Sequence, residues 1–109
     1  MRNPIFFVCA MVASFALVAA ADAEDYGRGL FLTQKRMCFE CHSVTLRNVG
    51  PSFEAVAARY RYNPWARDIL ADKIRHGSEG HWGDRFEMWP QEVVPDDELH
   101  VLVDWILQQ

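Results

Sequence analysis

Residues 36–43 read Arg-Met-Cys-Phe-Glu-Cys-His-Ser, which puts Cys38 and Cys41 three positions apart with His42 directly after the second thiol. Few chemistries want two thiols and an imidazole so close together. A tetrahedral zinc site needs four well-spaced ligands; adjacent Cys41 and His42 do not easily serve one ion, and no second cysteine pair follows. A thioredoxin-like dithiol belongs beside a strand in a βαβ unit, and this chain has almost no strand signal. A plain disulfide would use the thiols and leave the histidine unexplained.

Cys-x-x-Cys-His is the attachment pattern for c-type haem. The two thiols add to the two haem vinyl groups as thioethers, at a spacing that matches the distance between those vinyls. The following imidazole then faces the iron from one side. The cysteine arithmetic agrees: beyond Cys9, which lies in an N-terminal apolar segment, the chain has only Cys38 and Cys41. Both are consumed, and neither is left free in an oxidising compartment.

The rest of the chain must position that cluster. Its 109 residues suggest one domain. Residues Ile5 to Ala21 are apolar apart from Ser14, follow Met1 and Arg2, and end in small residues. Ala19-Ala20-Ala21 and Ala21-Asp22-Ala23 both fit the signal-peptidase rule, so residues 1–23 read as a cleaved secretory signal peptide and 24–109 as the domain. The alternative is a retained anchor, since the run sits at the short edge of the roughly 17–25 residues that span a bilayer; membrane association is expected only in that case. Phe6-Phe7-Val8 ahead of Cys9 does not form a lipoprotein box. The formal net charge is −4, and removing residues 1–23 leaves it unchanged because Arg2 and Asp22 go together. An acidic chain without a basic run is a poor nucleic-acid binder. A domain this small needs a staple or cofactor to complete its core, and a flat apolar haem would supply one.

The pattern is all-α. A first helix is expected from Glu24 or Asp25 to about Gln34, anchored by Leu30 and Phe31. Asn48-Val49-Gly50-Pro51-Ser52 is a breaker cluster, with Ser52 capping a helix that carries Phe53, Val56, Ala57 and Tyr60 on one face. Asn63-Pro64 opens a third helix through Trp65, Ile69, Leu70 and Ile74, stopping at Gly77. From Gly77 to Pro95 no period is evident, and loops of that length in small domains are usually functional or disordered. Trp82, Phe86 and Trp89 favour an ordered, functional loop. The last helix starts near Pro95 or Asp96, with Asp96, Asp97 and Glu98 at its positive end. Leu99, Leu102, Val103 and Ile106 form its inner face, widened by Val101 and Trp105.

In order, the chain presents CFECH near the start of the domain, Gly50-Pro51-Ser52-Phe53, Ile74-Arg75-His76-Gly77-Ser78-Glu79-Gly80, Trp82-Gly83, a methionine near Pro90, and Asp104-Trp105-Ile106-Leu107. This ordered set resembles the class I cytochromes c of the short bacterial monohaem type, over essentially the whole domain. A cytochrome c′ fits less well, because its attachment motif lies at the C-terminal end of a four-helix bundle. The resemblance implies about four helices wrapped around one haem c, held through Cys38 and Cys41, with the N- and C-terminal helices packed together. It implies His42 as the proximal iron ligand and Met88 as the distal one, with His81, His76 and His100 as the rivals for that place. It gives the Pro51 carbonyl the second ring nitrogen of His42, Trp82 a haem propionate, Lys73 a share in neutralising propionates, and Gln91 the Met88 sulfur. Three positions depart from the family pattern: Trp89 stands where a proline usually follows the methionine, the stretch from Gly83 to Met88 is one residue longer, and Met37 replaces a common glycine.

The expected function is therefore periplasmic electron transfer with no acid–base or nucleophilic chemistry. A periplasmic dehydrogenase would be the donor and a terminal oxidase or reductase the acceptor. Either a diffusing monomer or a dedicated haem subunit of a dehydrogenase complex fits. A peroxidase-like or sensor protein with a labile sixth ligand is the alternative from another class.

Overall fold

The computed structural model describes residues 22–83 and 87–109; most of the expected leader, and Phe86, lie outside the described residues. The backbone is helical over 22–35 (α1), Phe53–Tyr60 (α2), Ala66–His76 (α3) and Asp96–Leu107 (α4), with a 3-10 turn at Cys38–Glu40. Among the described residues the strand-like pairing is a single antiparallel bridge between Ser78 and Met88.

Of the two anchors expected on α1, Leu30 packs against the core and Phe31 does not. Gly29, Leu32 and Thr33 face inward, whereas Phe31 is 59% exposed. The cause is the crossing with α4. A Cβ on Gly29 would sit 2.3 Å from Trp105 Cβ, so only glycine lets the two helices approach this closely. That contact sets the rotation of α1, and the i, i+3, i+4 spacing then turns residues 32 and 33 inward. Thr33 tolerates burial because its hydroxyl donates to Gly29 O at 2.8 Å. Tyr26 adds a ring contact to Trp105 at 6.0 Å between centroids, and its hydroxyl donates to Gln109 Oε1 at 3.2 Å. The N- and C-terminal helices thus pack together, as the resemblance implied. At the other end of the crossing, Arg36 Nε and Nη2 both donate to Glu98 Oε2 at 2.7 Å, with Lys35 at 3.4 Å. The Arg36 guanidinium holds the Glu98 carboxyl below the usual glutamate range.

Helix α2 starts as expected: Ser52 Oγ accepts from Ala55 N at 3.1 Å, and Phe53, Val56, Ala57 and Tyr60 are buried. Helix α3 starts later than expected. Asn63 Oδ1 accepts from Trp65 N at 2.9 Å, an Asx turn that precedes the helix instead of capping it, and the first helical residue is Ala66. Trp65, expected inside, is 68% exposed. Helix α4 begins at Asp96 after Pro95, with three carboxylates in its first turn. Arg75 ties the end of α3 to the start of α4, donating to Val94 O at 2.9 Å and to the Asp96 carboxylate.

Two apolar clusters form the core. One joins Phe53, Val56, Tyr60, Leu70, Val103, Trp105 and Ile106; the other joins Leu32, Val94, Leu99 and Leu102. Leu102 is 1% exposed, and truncating such a leucine to alanine costs about 2–5 kcal/mol. Trp105 is equally buried, with its indole Nε1 lacking an acceptor among the described residues. An unmet donor costs about 1–3 kcal/mol; its close packing against Phe39, Phe53 and Tyr26 opposes that loss.

Candidate haem site

Cys38 and Cys41 sit on the 3-10 turn and just after it, and neither is in a disulfide. The turn is entered through Met37 at φ 61 and ψ 28, the left-handed region that L side chains avoid. This is the physical reason a glycine is common there, and Met37 occupies it with its side chain 64% exposed. Burial pushes the half-buried Cys38 thiol above its ordinary pKa; Cys41 is exposed.

His42 is held on every side but one. Its Nδ1 lies 2.7 Å from Pro51 O; a carbonyl only accepts, so the proton is on Nδ1 and Nε2 keeps its lone pair. The ring stacks on Phe53 at 4.9 Å and 20°. Gly50 lies flat against it, where a Cβ would come within 2.5 Å of Cε1. The loop that makes this possible folds back on its own start: Gly50 N donates to Cys41 O at 2.7 Å, Phe53 N to Ser43 O at 2.9 Å and Glu54 N to Val44 O at 3.0 Å. Nε2 has no hydrogen-bond partner among the described residues.

Met88 is anchored through its backbone. Its N–H donates to Ser78 O at 2.7 Å and its carbonyl accepts from Ser78 N at 3.0 Å, directly after α3. Gly77, at φ +82, makes room for that approach, since a Cβ would sit 2.5 Å from Met88 O. Gln91 N donates to Ile74 O at 2.8 Å and fixes the outgoing strand of the loop. Gln91 does not serve the sulfur as expected: its amide nitrogen donates to Trp89 O at 3.1 Å, a local contact. A cleft of about 520 Å³ opens here, lined by Lys73, His76, Ser78, His81, Glu87 and Met88 among others. The cysteines and His42 lie outside its lining.

Trp82 packs against the core, half-buried, with the Arg59 guanidinium 4.7 Å from its ring centre. Of the rival ligands, His76 pairs with Asp72 at 2.9 Å on the exposed face of α3, His81 is exposed, and His100 is solvated on α4. Arg59 and Arg47 were not legible as site residues. Nothing in the one-dimensional pattern pairs them with residues 81 and 82.

These residues fit a haem. Two free thiols precede an imidazole fixed in the tautomer that presents Nε2, and a methionine is anchored by its backbone on a separate loop. Val44, Ile74 and Trp82 are packed on the core yet only half-buried, an apolar surface that a flat hydrophobic cofactor would cover.

Comparison with known proteins agrees. The chain is 44% identical over 92 residues to cytochrome c-551 of Allochromatium vinosum, covering 84% of this chain and 97% of the relative. It is 40% identical over 98 residues to cytochrome c-552 of Nitrosomonas europaea, covering 87% of each, and 36% identical over 107 residues to cytochrome c-551 of Pseudomonas aeruginosa, covering 98% of each. The crystal structure of N. europaea cytochrome c552 superposes with a TM-score of 0.70 at 39% identity, over 72% of this chain and 96% of that one. The class 1 cytochrome MtoD of Sideroxydans lithotrophicus ES-1 gives 0.63 at 26%, over 75% and 92%. No protein-family model matches the chain. The chain belongs to the monohaem class I cytochromes c. It is a small electron-carrier cytochrome with one c-type haem attached through Cys38 and Cys41.

Proposed function

We propose that this cytochrome shuttles single electrons in the periplasm with His42 and Met88 as the axial ligands of its haem. The haem iron supplies the one-electron couple; the chain's own residues hold its surroundings still. The observation that carries this reading is that both candidate ligand residues are fixed by contacts that do not involve the cofactor. Pro51, Gly50 and Phe53 hold the imidazole, and two Ser78 backbone bonds hold Met88. The same ligands then serve both oxidation states, so little has to move when an electron arrives. A thioether on one side favours reduced iron relative to a second histidine.

Pro51 acts by raising the basicity of His42 through the Nδ1 hydrogen bond. Trp82 donates its indole N–H to a haem propionate, and Lys73, on the distal cleft, offsets propionate charge. His81 is a weaker distal candidate than Met88 because it lies exposed in a stretch whose carbonyl is tied to Arg59. Residues 1–23 are a leader removed on export; the P. aeruginosa relative, matching over 107 residues, carries a counterpart to most of it. Redox partners, a periplasmic dehydrogenase as donor and an oxidase or reductase as acceptor, meet the chain near the attachment turn. Met37, Leu46 and Val49 expose apolar side chains on the segments around Cys41, a patch suited to transient encounters below about 1,200 Å².

The test is the absorption spectrum of the ferric protein beside Met88→Ala. A weak far-red sulfur-to-iron band in the wild type, lost in the variant, is the expected result. A high-spin ferric wild type that binds cyanide readily would overturn the Met88 assignment and reopen a peroxidase-like role.

A further inference from the structure

Residues 80–83, Gly-His-Trp-Gly, are bracketed by glycines in the left-handed half of backbone space, Gly80 at φ +73 and Gly83 at φ +112. The two carbonyls between them each accept from an arginine of another segment. Arg59 Nη1, from the last turn of α2, donates to His81 O at 2.6 Å; Arg47 Nη2, from the loop after the cysteines, donates to Trp82 O at 2.8 Å. Arg59 also lays its guanidinium over the indole of Trp82, which rests on the apolar core. Two successive peptides and one ring are thus tied by two cations. Neither cation is paired with a carboxylate among the described residues, although the chain is acidic overall. Their hydrogen bonds go instead to the carbonyls of His81 and Trp82.

We propose that Arg59, assisted by Arg47, is a positioning residue for Trp82 and thereby raises the haem's reduction potential. The arginines fix the indole plane from the backbone side. The guanidinium over the ring draws on its π density, which makes the indole N–H a stronger donor to an anion. A better-neutralised propionate stabilises reduced iron, so weakening the arrangement lowers the potential. This rests on the reading that Trp82 donates to a propionate, and the experiment separates the two.

The holoproteins of wild type, Arg59→Gln, Trp82→Phe and the double variant are equilibrated with a one-electron mediator, each checked for its far-red band. The NMR signal of the Trp82 indole N–H is followed in the wild type and in Arg59→Gln. Arg59→Gln is expected to shift the mediator equilibrium about two- to fivefold toward the ferric state, the range of an exposed cation–π contact, and to move the indole signal. In the Trp82→Phe background the same change is expected to add nothing. An Arg59→Gln shift that persists in full there would overturn the proposal, because the arginine would then act as a remote charge. An unmoved potential in Trp82→Phe would sink the propionate reading, and the proposal with it. If Trp82→Phe loses its band, the indole signal decides: unmoved in Arg59→Gln, it overturns the proposal.

Discussion

The two sides of the haem site are built by opposite means. On the proximal side a side chain is clamped: His42 meets a carbonyl, an aromatic face and a glycine backbone, all from residues 50–53. At Met88, the proposed distal ligand, a backbone is clamped: it is held by two amide hydrogen bonds to Ser78, while Glu87 and Trp89 on either side are exposed. An imidazole has a direction that must be set, so its orientation needs partners. A thioether is flexible and soft, so under the proposed ligation it would suffice to fix the Cα and leave three side-chain torsions free. Rigidity is spent where the ligand is directional.

This contrast can be broken at its two glycines. Gly50→Val should have the largest effect. Any Cβ there meets His42 at 2.5 Å, and overpacking of a filled site costs about 1–3 kcal/mol even when neighbours can yield. Here the neighbour is the proposed proximal ligand, so purified protein should show reduced haem loading and a lost low-spin spectrum. Gly77→Ala should come next. It forces an L residue to φ +82 against Met88 O, a strain of about 1–3 kcal/mol. Because only the distal anchor is disturbed, haem loading should persist while the far-red band weakens and cyanide binds faster. Equal damage to loading in both variants would refute the division of labour.

A third change should sharpen the comparison by improving the proximal side. Met37→Gly removes a left-handed strain of about 1–2 kcal/mol, partly offset by the greater freedom of glycine in the unfolded chain. Thermal unfolding should shift upward by the equivalent of about 0.5–1 kcal/mol with the spectrum unchanged. A downward shift would mean that the exposed Met37 side chain makes contacts that matter. The smallest effect concerns the α1–α4 crossing that supports both sides. The Glu98 carboxyl is held below its usual range by Arg36, so its contribution is present above about pH 4.3 and is lost as the pH falls through the lowered value. Glu98→Gln should therefore melt slightly earlier than wild type at neutral pH, and the two should converge in acid. Curves that stay parallel down to strong acid would show that the pair adds nothing.

Much of the proximal side was legible because it is local. Cys38, Cys41, His42, Pro51 and the Ser52 cap lie within 15 residues of one another; spacing expresses the chemistry of all but Pro51, whose carbonyl came from the resemblance. Helix α4 was legible for a similar reason, its start marked by Pro95 and three acids, its inner face by period. What escaped depends on partners far away in sequence. Phe31 was misjudged as an anchor of α1 because it is strongly apolar, while the contact between Gly29 and Trp105 decides which face turns inward. Trp65 looked like a helix anchor, yet Asn63 makes its turn one step earlier and leaves the indole outside. Gln91 was assigned to the sulfur through the resemblance, and its amide nitrogen donates instead to the Trp89 carbonyl. Arg47 and Arg59 were not singled out, since a guanidinium's acceptors leave no trace in its own neighbourhood.

The Ser78–Met88 bridge has one more consequence. Two hydrogen bonds join residues 78 and 88 and close the chain between them into a loop. Loop-closure entropy grows only slowly with length, about 0.6 kcal/mol for a doubling, so one added residue inside the loop costs very little. The Ser78–Met88 pairing does not feel it, because its geometry is set by Gly77 and Ser78 on one side and by the Gln91–Ile74 bond on the other. A change in length between Gly83 and Met88 should therefore leave the backbone position of Met88, the proposed distal ligand, where it is.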